Sequence, residues 1–224
     1  MFFGSLWLSH ATELAYSLSA KSGLSVNTSL YWRLTNNAIE YLSTVDAAGV
    51  SLTKPQNIGQ RKAYGLNVNV SSQPTKNWTL NGGGDLRYVD LKSPALRQSN
   101  SGLVWNLNLN TSYKLPRNYT VQANGNYNSG WISLQGTNTG FYWHSISAKH
   151  DLLNKKASLT LGLNNPFYRG IEQTSRQSAP TFESESRSYM VRRSVRLTFE
   201  WRFGQMSAGG SKKGKKISND DKDR

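Results

Sequence analysis

The chain has 224 residues, a formal net charge of +14 and no cysteine, so neither a disulfide framework nor a thiolate metal site is possible. Hydrophobic residues make up only 37% of it, although there are 7 Trp and 11 Tyr residues. A composition poor in aliphatic and rich in aromatic residues disfavours the thick core of a soluble domain and favours a thin apolar surface edged by aromatic rings.

The positive charge invites a nucleic-acid hypothesis, but most basic residues are scattered along the chain rather than gathered in one patch. The one dense cluster lies in the last segment and consists of Lys212, Lys213, Lys215 and Lys216. We therefore expect no nucleic-acid partner. We expect a folded unit at 1–204, followed by a polar, Lys-rich, periplasmic tail at 205–224 that is disordered.

Residues 1–8 are short, apolar and without a basic segment, so they make a poor signal peptide. No apolar run reaches the ~18–20 residues of a membrane-spanning helix. Instead, apolar and polar residues alternate with a period of two along nearly the whole chain, which predicts β-strands. Nine strands are predicted, at 14–20, 24–34, 64–70, 78–88, 103–115, 119–127, 141–150, 157–163 and 195–203.

Strand length and loop length both favour a membrane barrel. Several predicted strands have about ten residues or more, as a tilted membrane strand requires, whereas soluble strands usually have about five or six. Tight turns are predicted at 21–23, 74–76, 115–118 and 152–155, and longer polar loops at 35–59, 90–100, 129–139 and 165–186. Short turns on one side and long loops on the other are typical of bacterial outer-membrane barrels, whose short turns face the periplasm.

Aromatic residues near the predicted strand ends complete the pattern. Those beside short turns are Trp78, Tyr113 and Tyr119, and those toward the long loops are Trp32, Tyr88, Trp105 and Tyr127. Such rings mark the two interfaces of a membrane barrel. We therefore predict an all-β fold, an antiparallel transmembrane β-barrel of nine or ten strands, in which Leu109 faces lipid and Asn108 faces the lumen.

The odd number of predicted strands raises a problem of closure. The strands at 14–20 and 195–203 both run toward the short turns, so they would meet in parallel, and an extra hairpin within 35–59 would not change this parity. Bacterial single-chain barrels have even strand numbers, and each unpaired backbone group in hydrocarbon costs several kcal/mol. The sequence thus predicts that N-terminal strands missing from this chain complete the barrel.

Several separate segments follow one another in the order found in a known family. They are Ser9-His10-Ala11-Thr12-Glu13-Leu14, Asn57-Ile58-Gly59 with Tyr64-Gly65-Leu66, Tyr88-Val89-Asp90-Leu91-Lys92-Ser93-Pro94-Ala95-Leu96, Leu109-Asn110-Thr111-Ser112-Tyr113-Lys114-Leu115-Pro116, Leu134-Gln135-Gly136, Arg193-Ser194-Val195-Arg196-Leu197 and Trp201-Arg202-Phe203-Gly204. By these segments the chain resembles the C-terminal part of the barrel in the outer-membrane protein beta-barrel family, which is TonB-dependent receptor-like.

The resemblance implies a larger barrel of about 22 strands, preceded by a signal peptide and a plug domain. It implies ligand binding or uptake across the outer membrane by the complete protein, and a segment here that is not active alone. The implied partners are outer-membrane lipid, the barrel assembly machinery, and the missing strands and plug domain. The closing strand would carry the assembly signal, formed by Leu197, Phe199, Trp201 and Phe203.

No catalytic residue, cofactor site or metal site is predicted, and we do not expect an enzyme. The three histidines, His10, His144 and His150, are far apart in sequence and have no metal-ligand spacing. No nucleophile motif accompanies the serines.

Two groups of charged residues are expected on the lumen side. Asp85 with Arg87, and Glu200 with Arg196 and Arg202, would serve either as contacts for a plug or solute or as ion pairs between strands. The glycines at 82–84 fall in mid-strand, where glycine allows bending or close approach of strands.

Two other functions stay open at this point. One is a small autonomous outer-membrane barrel with a structural role or with adhesive loops. The other is a soluble β-sandwich that binds polyanions.

Overall fold

The computed structural model describes residues 7–203, so the predicted tail at 205–224 lies outside the described residues. Thirteen β-strands are found there, and no helix in this part is long and apolar enough to cross a bilayer. The strands are β1 (Leu8–Ser19), β2 (Ser25–Asn36), β3 (Ile39–Val45), β4 (Ser51–Asn57), β5 (Gln60–Thr75), β6 (Trp78–Ser93), β7 (Gln98–Leu115), β8 (Tyr119–Ser133), β9 (Gly136–Leu152), β10 (Ala157–Asn164), β11 (Ile171–Ala179), β12 (Phe182–Met190) and β13 (Ser194–Trp201).

Nine strands form one continuous antiparallel sheet in the order β1-β2-β5-β6-β7-β8-β9-β10-β13. The predicted all-β, antiparallel arrangement is therefore confirmed and each of the nine predicted strands is present, but the total of thirteen exceeds the nine or ten predicted. The remaining four form two hairpins: β3 pairs with β4, and β11 pairs with β12 and over three residues with β9. The four turns predicted to be tight lie at one edge of the sheet, the short-turn edge. Both hairpins rise from the opposite edge, the hairpin edge, where β6–β7 and β8–β9 are also joined by short connections.

The tight turns are near their predicted places. The first has Gly23 at φ +81°, and the third has Arg117 and Asn118 at φ 60° and 61°, values that tight hairpin turns require. The second turn is shifted: β5 continues through Pro74 to Thr75, and the chain reverses at residues 76–77.

The predictions of long loops at 90–100 and 129–139 were wrong. β6 continues to Ser93 and β7 begins at Gln98, and β8 and β9 are separated only by residues 134–135. The predicted loops at 90–100 and 129–139 are thus mostly strand, because paired strands can satisfy their backbone groups beyond the membrane as well as within it. The loops at 35–59 and 165–186 are long, as predicted, but contain the two hairpins.

The buried core lies at the hairpin edge, on one face of the long strands. Its members are Ala38, Leu42, Ile58, Val89, Leu91, Val104 and Leu134. On β6 the same face carries Asp85 and Arg87 in the middle of the strand and the buried Val89 and Leu91 nearer the hairpin edge. The strand therefore changes the polarity of this face along its length, and the hairpin β3–β4 covers the apolar part.

Candidate functional site

One face of the main sheet, the apolar face, is covered by exposed hydrophobic side chains. Register places Leu14, Leu30, Leu66 and Leu86 side by side across β1, β2, β5 and β6, with between 38% and 74% of each exposed. A monomeric soluble protein rarely exposes so extended an apolar surface. The apolar face therefore requires an apolar environment, which agrees with the prediction that this face contacts lipid.

Aromatic rows border the apolar face near both edges. Trp32, Tyr64 and Tyr88 lie side by side toward the hairpin edge, and Trp78 lies opposite Tyr113 near the short-turn edge. From Trp78 to Tyr88 the strand advances about 33 Å at ~3.3 Å per residue, which a tilt of ~40° reduces to ~25 Å. The band between the rows therefore has the height of a membrane barrel's apolar belt.

The predicted assembly signal lies at one end of the sheet. Leu197, Phe199 and Trp201 belong to β13, on the apolar face, with 68%, 58% and 47% of each exposed. Phe203 follows the strand, and its ring lies 6.0 Å from the Trp201 ring. β13 pairs only with β10 in the described residues, so its other backbone edge has no strand beside it.

The opposite face, the polar face, carries a charged cluster. The Tyr31 hydroxyl donates a hydrogen bond to Asp85 Oδ2 at 2.9 Å, and Arg87 Nη1 donates to Asp85 Oδ1 at 2.7 Å. Asp85 and Arg87 are thus paired within one strand. Glu200, by contrast, forms no ion pair among residues 7–203 and accepts a hydrogen bond from the Ser158 hydroxyl at 3.3 Å.

A cavity of about 1230 Å³ lies against the polar face. Its charged and phenolic lining residues are Glu13, Tyr31, Arg33, Arg61, Asp85 and Arg87. Arg87 and Asp85 neutralise each other, whereas Arg33 has no ion-pair partner in the described part of the chain. The cavity therefore offers a polar solute two kinds of hydrogen-bond donor: the Arg87 guanidinium, which Asp85 holds in place, and the Arg33 guanidinium, which no carboxylate holds among residues 7–203.

The β3–β4 hairpin covers the polar face beside this cavity. Gln135, in the β8–β9 turn, accepts a hydrogen bond from Ser43 N at 2.8 Å and donates one to Ser43 O at 3.0 Å. In the same turn, Leu134 N donates to Glu40 Oε2 at 3.0 Å. These bonds join residues more than 90 positions apart, so no local signal in the sequence could have revealed them.

The glycines at 82–84 lie in the middle of β6, where strands approach closely. A Cβ atom on Gly83 would lie 2.4 Å from Asn69 Oδ1, and one on Gly84 would lie 2.7 Å from Leu107 Cδ2. Each added Cβ would also lie 3.0 Å from a backbone oxygen of the neighbouring strand, Val68 O or Asn106 O. Close approach of strands, one of the two predicted roles, is therefore confirmed.

The three histidines have different surroundings in the structure, and two of them stack on aromatic rings. His144 stacks on Phe167 and His150 stacks on Tyr119, with ring centroids 5.5 Å and 3.9 Å apart. Within residues 7–203 no group of three potential ligands is placed to hold a metal ion.

The model of the outer membrane protein beta-barrel family matches residues 8–201, which include every strand of the sheet. The chain belongs to this family. A search of curated proteins and a search of solved structures each gave no significant match. Membership places this outer membrane beta-barrel protein in the outer membrane. The apolar face is then the lipid-facing side of a barrel wall, and the polar face is the lumen side.

Proposed function

We propose that this chain forms part of the wall of a larger, TonB-dependent receptor-like barrel that binds a ligand and takes it up across the outer membrane. The observation that carries the proposal is the cavity on the lumen side, which has charged residues in its lining and lies beside a hairpin that rises from the outer edge. In such an arrangement, a solute that enters from outside the cell can first bind to the charged residues of the cavity and then pass along the barrel wall. The chain itself would perform no catalysis.

The free strand edges support the larger barrel. β1 pairs only with β2 and β13 pairs only with β10 in the described residues, and the antiparallel path gives β1 and β13 the same direction. Two strands of the same direction cannot pair antiparallel with each other. A set of further strands, odd in number, would join both edges and satisfy their backbone groups in lipid.

A pair of cysteines tests the larger barrel. The chain has no cysteine of its own, so L14C/L197C creates the only possible disulfide. If β1 and β13 each join other strands, oxidation of the chain in lipid gives no intramolecular disulfide. The positive control is L161C/L197C, because register places Leu161 opposite Leu197. A disulfide in L14C/L197C as complete as in the control contradicts the larger barrel and favours a closed, autonomous one.

Access from outside tests the binding function. Arg33 lines the lumen cavity, so R33C in intact cells should react with a membrane-impermeant maleimide. Adding Q135A should raise the rate, because the hairpin then loses two of its three hydrogen bonds to the β8–β9 turn and keeps only the one from Leu134 N to Glu40. A reaction that occurs only after the outer membrane is permeabilised would argue against entry of a solute into this cavity.

A second candidate is an autonomous barrel with adhesive loops. The β12 strand favours it, because among residues 7–203 β12 pairs only with β11 and leaves one exposed edge beyond the membrane. Exposed edges can add a strand from a partner protein. Deleting residues 171–190 would abolish adhesion under this candidate and would leave the R33C reaction unchanged under the uptake proposal.

A further inference from the structure

An aromatic group projects from the lipid side near the hairpin edge, around the connection that follows β10. The His144 ring stacks on Phe167, and the Tyr142 ring lies 4.4 Å from Tyr168. Phe167 is 79% exposed. Aromatic side chains that carry a polar atom, such as those of Tyr142 and Tyr168, lie at the level of lipid headgroups, because the ring contacts hydrocarbon and the polar atom contacts water.

Asn165 holds this group in place. Asn165 N donates to His144 O at 2.7 Å, and Asn165 Oδ1 accepts from His144 N at 2.9 Å. Asn165 Nδ2 donates to Arg192 O at 3.0 Å. One buried amide therefore ties three segments together: β9, the connection after β10 and the stretch before β13.

Three exposed arginines lie in the two segments that Asn165 joins to β9. Arg169 follows Tyr168 directly, and Arg192 and Arg193 immediately precede β13. None of them takes part in the ion pairs found among residues 7–203. We call Arg169, Arg192 and Arg193 the arginine cluster.

The other arginines of this region differ in having a carboxylate partner. Arg176 Nε lies 2.9 Å from Glu185 Oε2, and Arg187 contacts the other carboxylate oxygen at 2.5 Å. The hydrogen bonds from Arg176 and then from Arg187 lower the pKa of Glu185 below its usual range. These two guanidinium groups are therefore occupied by a carboxylate. In the arginine cluster Arg192 Nη2 contacts only the Met190 sulfur, at 3.7 Å, and no member has a carboxylate partner among residues 7–203.

We propose that the arginine cluster binds the phosphate of an anionic lipid in the outer leaflet. The aromatic group sets the depth at which headgroups lie, and the arginines begin directly beyond it. Guanidinium groups bind phosphate oxygens through paired hydrogen bonds, and each basic side chain near an anionic membrane surface contributes about 1 kcal/mol, or roughly fivefold in affinity. The inference rests on the outer-membrane location and does not depend on uptake of a ligand.

A site-specific quenching experiment tests the lipid site. V191C carries a bimane label beside the cluster, and the full chain is placed in phosphatidylcholine vesicles that contain brominated phosphatidate or brominated phosphatidylcholine. We expect a clear preference for phosphatidate at this label. R169Q/R192Q/R193Q should reduce the preference on the order of 100-fold, about fivefold for each arginine. Y64C, labelled at the same level on β5, should show little preference.

The matched control is R97Q/R176Q/R187Q, which removes the same charge from the same side of the membrane. An equal loss of preference in this control, or an equal preference at the Y64C label, would overturn the proposal. Complete displacement of phosphatidate by excess soluble phosphate would also overturn it, because the site would then bind free phosphate. Heat-modifiable gel mobility reports whether each variant folds. R169Q, a single change in a connection, provides a mild second variant that should lose about fivefold.

Discussion

A single position along a strand decides whether a side chain meets lipid or the lumen. Leu109 lies on the apolar face, midway between Trp105 and Tyr113, and is half exposed, whereas its neighbour Asn108 lies on the polar face. A charge at the first position must enter hydrocarbon, and a charge at the second can stay in a polar lumen.

We therefore predict that Leu109→Arg lowers the free energy of unfolding in a bilayer by about 2–4 kcal/mol. Asn108→Arg should lower it by far less. Equilibrium unfolding in denaturant, followed by tryptophan fluorescence in lipid vesicles, measures both. Equal losses would mean that the two faces are wrongly assigned.

Glycine is required at Gly83 for a different reason, namely space. A Cβ atom at Gly83 would lie 3.0 Å from the backbone oxygen of Val68 and would displace the exposed Asn69 side chain, so Gly83→Ala should lower the free energy of unfolding by about 1 kcal/mol. At Gly125 an added Cβ has nothing within 4 Å. Gly125→Ala is therefore the control, and it should be close to neutral in the same unfolding assay.

Among the elements, the β3–β4 hairpin depends most on distant partners. Gln135→Ala removes both hydrogen bonds to Ser43 and leaves its buried backbone N–H and C=O unpaired, a loss of about 1–3 kcal/mol. Hydrogen exchange of the β3 amides should become faster, and cleavage by added protease in the 46–50 turn should increase. Gln56→Ala, on the exposed strand β4, should change neither rate. An unchanged exchange rate in Gln135→Ala would show that the hairpin is held without the Gln135 bonds, by contacts such as the Leu134–Glu40 bond and the packing of Leu42.

The elements also show what the sequence could and could not predict. Alternation over Leu103, Trp105, Leu107 and Leu109 locates β7 because the membrane imposes one rule on every strand inside it. Beyond the membrane that rule ends: Val89 and Leu91 are buried on the face that is polar lower down. Their environment depends on a hairpin attached through residues far away in sequence, which a local pattern cannot reveal.

At the scale of the whole molecule, assembly requires that β13 insert from water into the bilayer and that its aromatic face end in contact with lipid. We predict that replacing Phe199 and Trp201 by Ser slows assembly into vesicles severalfold, since each ring contributes about 1.5–3 kcal/mol when it enters an apolar environment. The folded fraction over time, read from heat-modifiable gel mobility, measures assembly. The matched control replaces Thr198 and Glu200 on the polar face by Ser and Gln. A control that assembles as slowly as the aromatic variant would refute an assembly signal on the apolar face.

The reversal of polarity on β6 has a mechanical consequence. Tyr88 is the last aromatic residue on the lipid side of β6. Asp90, two residues farther along, lies on the same side, and its carboxylate is 3.2 Å from the Lys92 ammonium group. If the wall sank by one residue pair, the ion pair would approach hydrocarbon. If it rose by one pair, the aromatic row would leave the interface. The strand thus fixes the vertical position of the protein, and a thinner or thicker bilayer must adapt to the wall by deforming or by letting it tilt.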